Sequence, residues 1–167
     1  IYASLVDQQA SLFGHTCFYK GEAKITYGTG GFLLLNIGKK RIKLNDKIVT
    51  TITAQYGNDI NYALDGGVYC VGSCINWLIN ELKIVSNPKQ IDDIAFNLKN
   101  NCGTYFIPSF AGISVPYWKS DTKGSFFGLS LKTNGKDIIR AVLEGIAYRF
   151  FEIIEIVRKN GFREISS

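Results

Sequence analysis

Asp7, Gln8 and Gln9 form the first cluster whose residue types and spacing suggest chemistry. Residues 1–6 read as an apolar strand ending at Asp7, and a helical stretch follows. An acid at that junction sits where open α/β sheets place ligands. A carboxylate there can take the proton of a hydroxyl as the hydroxyl attacks a phosphoryl group, and the neighbouring glutamines can hydrogen-bond a hydroxylated ligand. Capping of the helix by Asp7 is the plainer reading of the same spacing.

Tyr27-Gly28-Thr29-Gly30-Gly31 is a second cluster. Its glycines allow close approach of the backbone to a ligand, and its N–H groups and threonine hydroxyl suit phosphate oxygens. It has neither the spacing nor the lysine of a Walker A loop, and a tight β-turn accounts for the same residues. Gly72, Ser73 and Asn76 open a predicted helix. The free N–H groups of a helix N-terminus attract phosphate, and an N-capping role for Ser73 stands equally beside that reading. The segment FAGISVPYW, residues 110–118, is either a packing loop or the lining of a cleft. Asp65 and Glu144 stand alone among apolar neighbours and read as hydrogen-bonded structural acids.

The elements that must position these groups follow from periodicity. Residues 8–19 read as a short helix; AKITYGTGG, FLLLNIG, IVTTITAQY (48–56) and NYALDGGVYC read as strands. Val71, Cys74, Ile75, Leu78, Ile79 and Leu82 recur at helical spacing. Asn87-Pro88 starts a further helix, and TYFIPSF and GSFFGLSL are extended. The longest helix runs over 136–160, with Ile138, Val142, Leu143, Ile146, Phe150, Ile153, Ile154 and Val157 on its buried stripe. REISS begins another strand. This mixture predicts an α/β or α+β layered fold.

Composition narrows the function. The 167 residues are 46% hydrophobic and 20% charged, ordinary for a globular domain. No apolar run approaches the roughly 18 residues of a membrane span. The net charge is +5, with Lys39, Lys40, Arg41 and Lys43 as the one dense basic cluster. That cluster reads as a solvated hairpin connection, which argues against a nucleic-acid interface. Cys17, Cys70, Cys74 and Cys102 form no CxxC pair, and His15 is not spaced with them as a zinc ligand. They read as buried free thiols of a cytoplasmic protein, with no metal site among them.

In sequence order, VDQQASLFG, KITYGTGGFLLLN, TTI, NYALDGGVYCVGSCINWL and IPSFAGISVPYW resemble the FGGY family of sugar and polyol kinases, and within it the members that act on glycerol. GSFFGLSLKTNGKDIIRAVLE, residues 124–144, resembles the family's second signature. Its Gly124, Gly128, Asp137, Ala141 and Glu144 fall at the expected spacing. The resemblance covers essentially the whole chain. It implies a ribonuclease H-like, actin-type α/β domain with a mixed sheet and flanking helices. Residues 1–167 would be one partial domain, most of the family's C-terminal half, cut short at its own C-terminal end.

The resemblance also implies roles. Asp7 would be the general base that prepares a glycerol hydroxyl for attack on the γ-phosphate of ATP. Gln8 would contact glycerol, with Phe32 against its carbons; Thr29, Gly28, Gly72 and Asn76 would contact the nucleotide. ATP/ADP and Mg²⁺ are the implied cofactors, and a homo-oligomer (dimer or tetramer) the implied assembly. An N-terminal domain would supply the phosphate-binding hairpin and the metal-binding acid, and a Gly-Gly segment beyond Ser167 would complete the adenine site. The chain alone is therefore expected to be inactive. Two departures stand out: Asn76 replaces the family's usual glutamine, one methylene longer, and Ser114-Val115-Pro116 replaces Gly-Ala-Pro. The alternatives are another FGGY kinase, such as one acting on xylulose, and a non-catalytic scaffold.

Overall fold

The structure is a computed structural model that describes residues 4–44, 47–162 and 165. Its centre is a four-stranded antiparallel sheet of β1 (Ala23–Tyr27), β2 (Gly31–Gly38), β3 (Val49–Tyr56) and β4 (Asp59–Val68), in the order β1-β2-β4-β3. Short turns, Gly28-Thr29-Gly30 and Gly57-Asn58, connect β1 to β2 and β3 to β4, as antiparallel pairing allows. A second antiparallel pair joins β5 (Tyr105–Ile107) to β6 (Ser125–Phe127). All named pairings are antiparallel, so the parallel part of the expected mixed sheet does not occur among the described strands.

Four helices surround the sheets: α1 (Asp7–Gly14), α2 (Gly72–Asn80), α3 (Pro88–Asn97) and α4 (Gly135–Lys159). The helix expected over 8–19 is shorter. It ends at Gly14, and Thr16 then takes a left-handed backbone with φ 58° while Cys17 turns inward. The strand expected over 1–6 is not seen at residues 4–6, which lie outside any strand although Val6 is locally extended; residues 1–3 lie outside the described residues. Most of the strand expected in REISS also lies outside them. α2 stops at Asn80, short of the apolar run's end, and Lys83 follows at φ 53°. α3 begins as expected, with Pro88 in its first turn and the Asn87 side chain accepting from Gln90 N–H at 3.1 Å.

α4 is the main packing partner. Asn134 and Asp137 form a capping box at its start: Asn134 Oδ1 accepts from Lys136 N–H at 2.9 Å, and Asn134 N–H donates to Asp137 Oδ2 at 2.9 Å. Ile139, Val142, Ile146, Phe150, Ile153 and Val157 are buried along one stripe, with Ile138, Leu143 and Ile154 half-buried beside it. This stripe meets one face of the central sheet, which carries Leu33, Leu35, Leu64 and Val68. Two glycines make the contact close. A Cβ on Gly31 would stand 2.4 Å from the Phe150 ring, and one on Gly66 would stand 2.5 Å from Ile153. The opposite face carries a smaller cluster of Leu12, Cys17 and Leu34, with Phe32 packed against it. No helix among the described residues is long and apolar enough to cross a membrane.

Candidate functional site

The small-cluster face of the sheet is also the polar one. Antiparallel register places Thr26 opposite Phe32 and Phe32 opposite Gly67; one row over, Lys24 is opposite Leu34 and Leu34 opposite Asp65. Directly paired residues share a face, so Lys24, Thr26, Phe32 and Asp65 project to the side that α1 covers. Asp7 is the first residue of α1, and its Oδ1 accepts from Gln8 N–H at 2.7 Å. The N-cap is Val6, which has no capping side-chain bond, so Asp7 is an exposed first-turn acid and not the cap. An acid in that position is favoured by the helix dipole.

Gln8 and Gln9 divide the work. The Gln8 side chain accepts at Oε1 from Lys24 Nζ at 2.5 Å. Gln9 Nε2 donates to Thr51 Oγ1 and Ile52 O, both at 3.3 Å, and ties α1 to the edge strand β3. The ligand-donor role open to both glutamines in the sequence is therefore held by neither in the same way: Gln9 is engaged by the scaffold, and Gln8 is oriented by a lysine.

Lys24 is the residue that sequence reasoning missed. Only 5% of it is exposed, and its ammonium also donates to Thr26 Oγ1 at 2.6 Å. Burial pulls its pKa down, against the attraction of Asp65 and then Asp7. Burial likewise raises the Asp65 carboxyl, with Lys24 opposing. In the segment AKITY the lysine looks like an outward side chain of an alternating strand. The later apolar-to-acid row, Leu34 and Asp65, was the one signal that this strand faces a covered surface.

A second corner forms where the 28–30 turn meets α2. Gly72 N–H donates to Gly28 O at 2.8 Å, Ser73 N–H to Thr29 O at 3.2 Å, and Val71 N–H to Thr29 O at 3.0 Å. Ser73 Oγ also donates to Thr29 O at 3.3 Å. The first amides of α2 are thus satisfied by the turn, and they are not the free phosphate-binding donors that the sequence suggested. Glycine is required at 72, where a Cβ would lie 2.5 Å from Gly28 O. Beside this corner opens a cavity of about 460 Å³ lined by Tyr27, Gly28, Gly72, Ile75, Ile91 and Leu143, among others. Its walls suit a flat, weakly polar group. Asn76 is exposed on α2 and stands outside that lining.

The remaining candidates are scaffold. Glu144 accepts from Arg140 Nε at 2.6 Å and from Asn101 Nδ2 at 2.8 Å, the structural role expected of it. The 110–118 loop is clipped down from two sides. Ser114 Oγ donates to Gly67 O, Arg149 Nη2 donates to Val115 O, and Tyr117 OH donates to Glu152. Phe110 joins Trp77, Phe106 and Phe126 in an aromatic cluster. The residues of the 124–144 signature also turn out to be structural. A Cβ on Gly124 would strike the Phe110 ring at 2.7 Å, one on Gly128 would strike Gly103 O at 2.0 Å, Asp137 caps α4, and Ala141 is buried. All four cysteines are free; Cys102 is exposed, contrary to the expectation that all are buried. Lys39 of the basic connection pairs with Asp59 at 2.7 Å on the surface.

Comparison with known proteins identifies the family. The profile of the FGGY family of carbohydrate kinases, C-terminal domain, matches residues 23–166. Glycerol kinases of Staphylococcus haemolyticus and Fusobacterium nucleatum are 39% and 41% identical to the chain, over 96% and 92% of its length. The chain spans 32% and 31% of those two relatives. The crystal structure of Plasmodium falciparum glycerol kinase with ADP superposes with a TM-score of 0.85 at 37% identity, covering 92% of this chain and 30% of that one. A xylulose kinase from Rhodospirillum rubrum superposes at 0.80 and 24% identity, covering 96% of this chain and 32% of that one, a likeness of fold alone. The fold is the actin-like α/β architecture expected from the sequence.

Proposed function

The chain belongs to the FGGY family of carbohydrate kinases, and from that premise we propose that it carries part of the site of an ATP-dependent kinase that phosphorylates glycerol to glycerol 3-phosphate. The observation that carries the proposal is the pairing of Asp7 and Gln8 in the first turn of α1, over the polar sheet face that also carries Phe32. Asp7 is an exposed carboxylate that can accept the proton of an attacking hydroxyl. Gln8 holds a hydroxyl of the triol, and the Phe32 ring lies along its carbons.

The nucleotide belongs to the other corner. ATP supplies the transferred phosphoryl group. The cavity beside Gly28 and Gly72 accepts its base. Thr29 and Asn76, which lie outside the cavity lining, are assigned to the rest of the nucleotide, Asn76 with a shorter reach than glutamine has. Mg²⁺ is part of the expected chemistry of such a kinase. Among the described residues no group of three or more His, Cys, Asp or Glu could hold a metal ion. The acid that would hold Mg²⁺, which would neutralise charge on the phosphates, is assigned to the proposed N-terminal domain.

Because the relatives are about three times as long, the proposal includes a second domain that closes over glycerol and excludes water, and a cytoplasmic homo-oligomer as the working assembly. The isolated 167 residues should show no glycerol-dependent ADP production. The test is phosphorylation of glycerol, xylulose and gluconate by the full-length protein. Glycerol should be strongly preferred, and Asp7→Asn should lower kcat by about 10²–10⁴-fold without loss of fold. Preference for xylulose would move the protein to another sugar specificity, and near-unchanged activity of Asp7→Asn would remove Asp7 as the base.

A further inference from the structure

Lysine has three donors and no acceptor. The atom of Gln8 that faces Lys24 Nζ at 2.5 Å must therefore be the amide oxygen, because an amide NH₂ there would set donor against donor. Lys24 is nearly inaccessible, and its second bond, to Thr26 Oγ1, holds it from the strand side. Both hydrogen bonds go to neutral oxygens, while Asp65 acts on it through space. A lysine present only to neutralise Asp65 would not need this geometry.

With its oxygen held, Gln8 is left with its NH₂, which offers donors only. Asp7, one residue earlier, offers acceptors only. We propose that Lys24 is a positioning residue that locks the Gln8 amide, so that Asp7 and Gln8 read adjacent hydroxyl groups of a polyol by polarity. One hydroxyl donates its proton to Asp7, and its neighbour accepts from Gln8. This rests on the assignment of Asp7 and Gln8 to the acceptor-substrate site. It predicts that the site selects vicinal diols over isolated alcohols, and that Lys24 matters for glycerol and not for ATP.

The test uses the full-length protein with Lys24→Met, Gln8→Ala and both together. Lys24→Met should raise KM for glycerol about tenfold, as the loss of one charge-assisted hydrogen bond would, and leave KM for ATP within about twofold. The double variant should match Gln8→Ala alone. Additive effects of the two substitutions, or an unchanged KM for glycerol, would overturn the proposal. A substrate-independent readout is the Gln8 side-chain amide by ¹⁵N NMR, assigned by its disappearance in Gln8→Ala. Its signals should lie away from those of an unconstrained glutamine amide in the wild type and should move toward them in Lys24→Met; unchanged signals would also overturn the role. If the wild type turns over no polyol, the kinase reading fails, and the NMR result alone then decides the role of Lys24. Lys24→Met/Asp65→Asn removes the acid left without its counter-charge. Failure of both Lys24 variants to fold would make Lys24 a structural residue and end the proposal.

Discussion

Leu33 and Leu34 are adjacent on β2 and equally inaccessible, at 1% and 0% exposed, yet they point to opposite sides of the sheet. Leu33 belongs to the large cluster sealed by α4, where glycines at 31 and 66 let the helix sit directly on the strands. Leu34 belongs to a cluster of three buried residues beneath the eight-residue α1, flanked by a buried lysine and a half-buried aspartate. One face gathers apolar area and supplies stability. The other accepts the cost of burying charge, and every residue assigned to the polyol lies on that side. A single strand thus separates the part of the domain that holds the fold from the part to which the ligand site is assigned.

The difference can be broken by truncating each leucine. Leu33→Ala should cost about 4 kcal/mol and Leu34→Ala about 2.5 kcal/mol in urea unfolding, because the smaller cluster can relax around the void. Equal losses would mean that the α1 side is as much a core as the α4 side. Gly72→Ala sharpens the contrast at the second corner. A methyl 2.5 Å from Gly28 O must push the turn off α2, at about 2 kcal/mol, and should weaken ADP binding by the full-length protein without changing KM for glycerol. The smallest effect concerns Cys74, whose thiol is pushed up to about 12 by burial and then by the neighbouring Cys70. Its folded pKa lies above the ordinary 9.0, so its contribution to stability is complete below pH 9 and fades as the pH rises toward 12. Cys74→Ala should flatten the alkaline loss of stability by at most about 1 kcal/mol per pH unit, a discounted share of the full linkage slope.

Much of the scaffold was legible in the sequence because it is local. The apolar stripe of α4, Pro88 at the start of α3, and the β-branched run of β3 each state their element within a few residues. The errors arise where a tertiary contact overrides a local signal. Residues 8–19 carry enough helical pattern to suggest three turns, but Cys17 is drawn inward to Leu12 and Leu34 and ends the helix at Gly14. The candidate site was visible in part: Asp7-Gln8 and the Gly28-Thr29-Gly30 turn are each a contiguous run that stands out by residue type; Lys24 acquires meaning only when α1 folds back across the sheet and places Gln8 over it. The 124–144 signature shows the converse. Its residues are easily spotted, and the structure gives them capping, spacing and packing duties.

The carbonyl oxygens of Gly28 and Thr29 occupy the first amides of α2. That helix end is consequently already discharged by the chain's own backbone, and an arriving anion finds its attraction spent. Negative charge at this corner must draw its counterpart from a cation or from elsewhere in the protein. What the corner itself offers is a ledge on which a planar ring can rest.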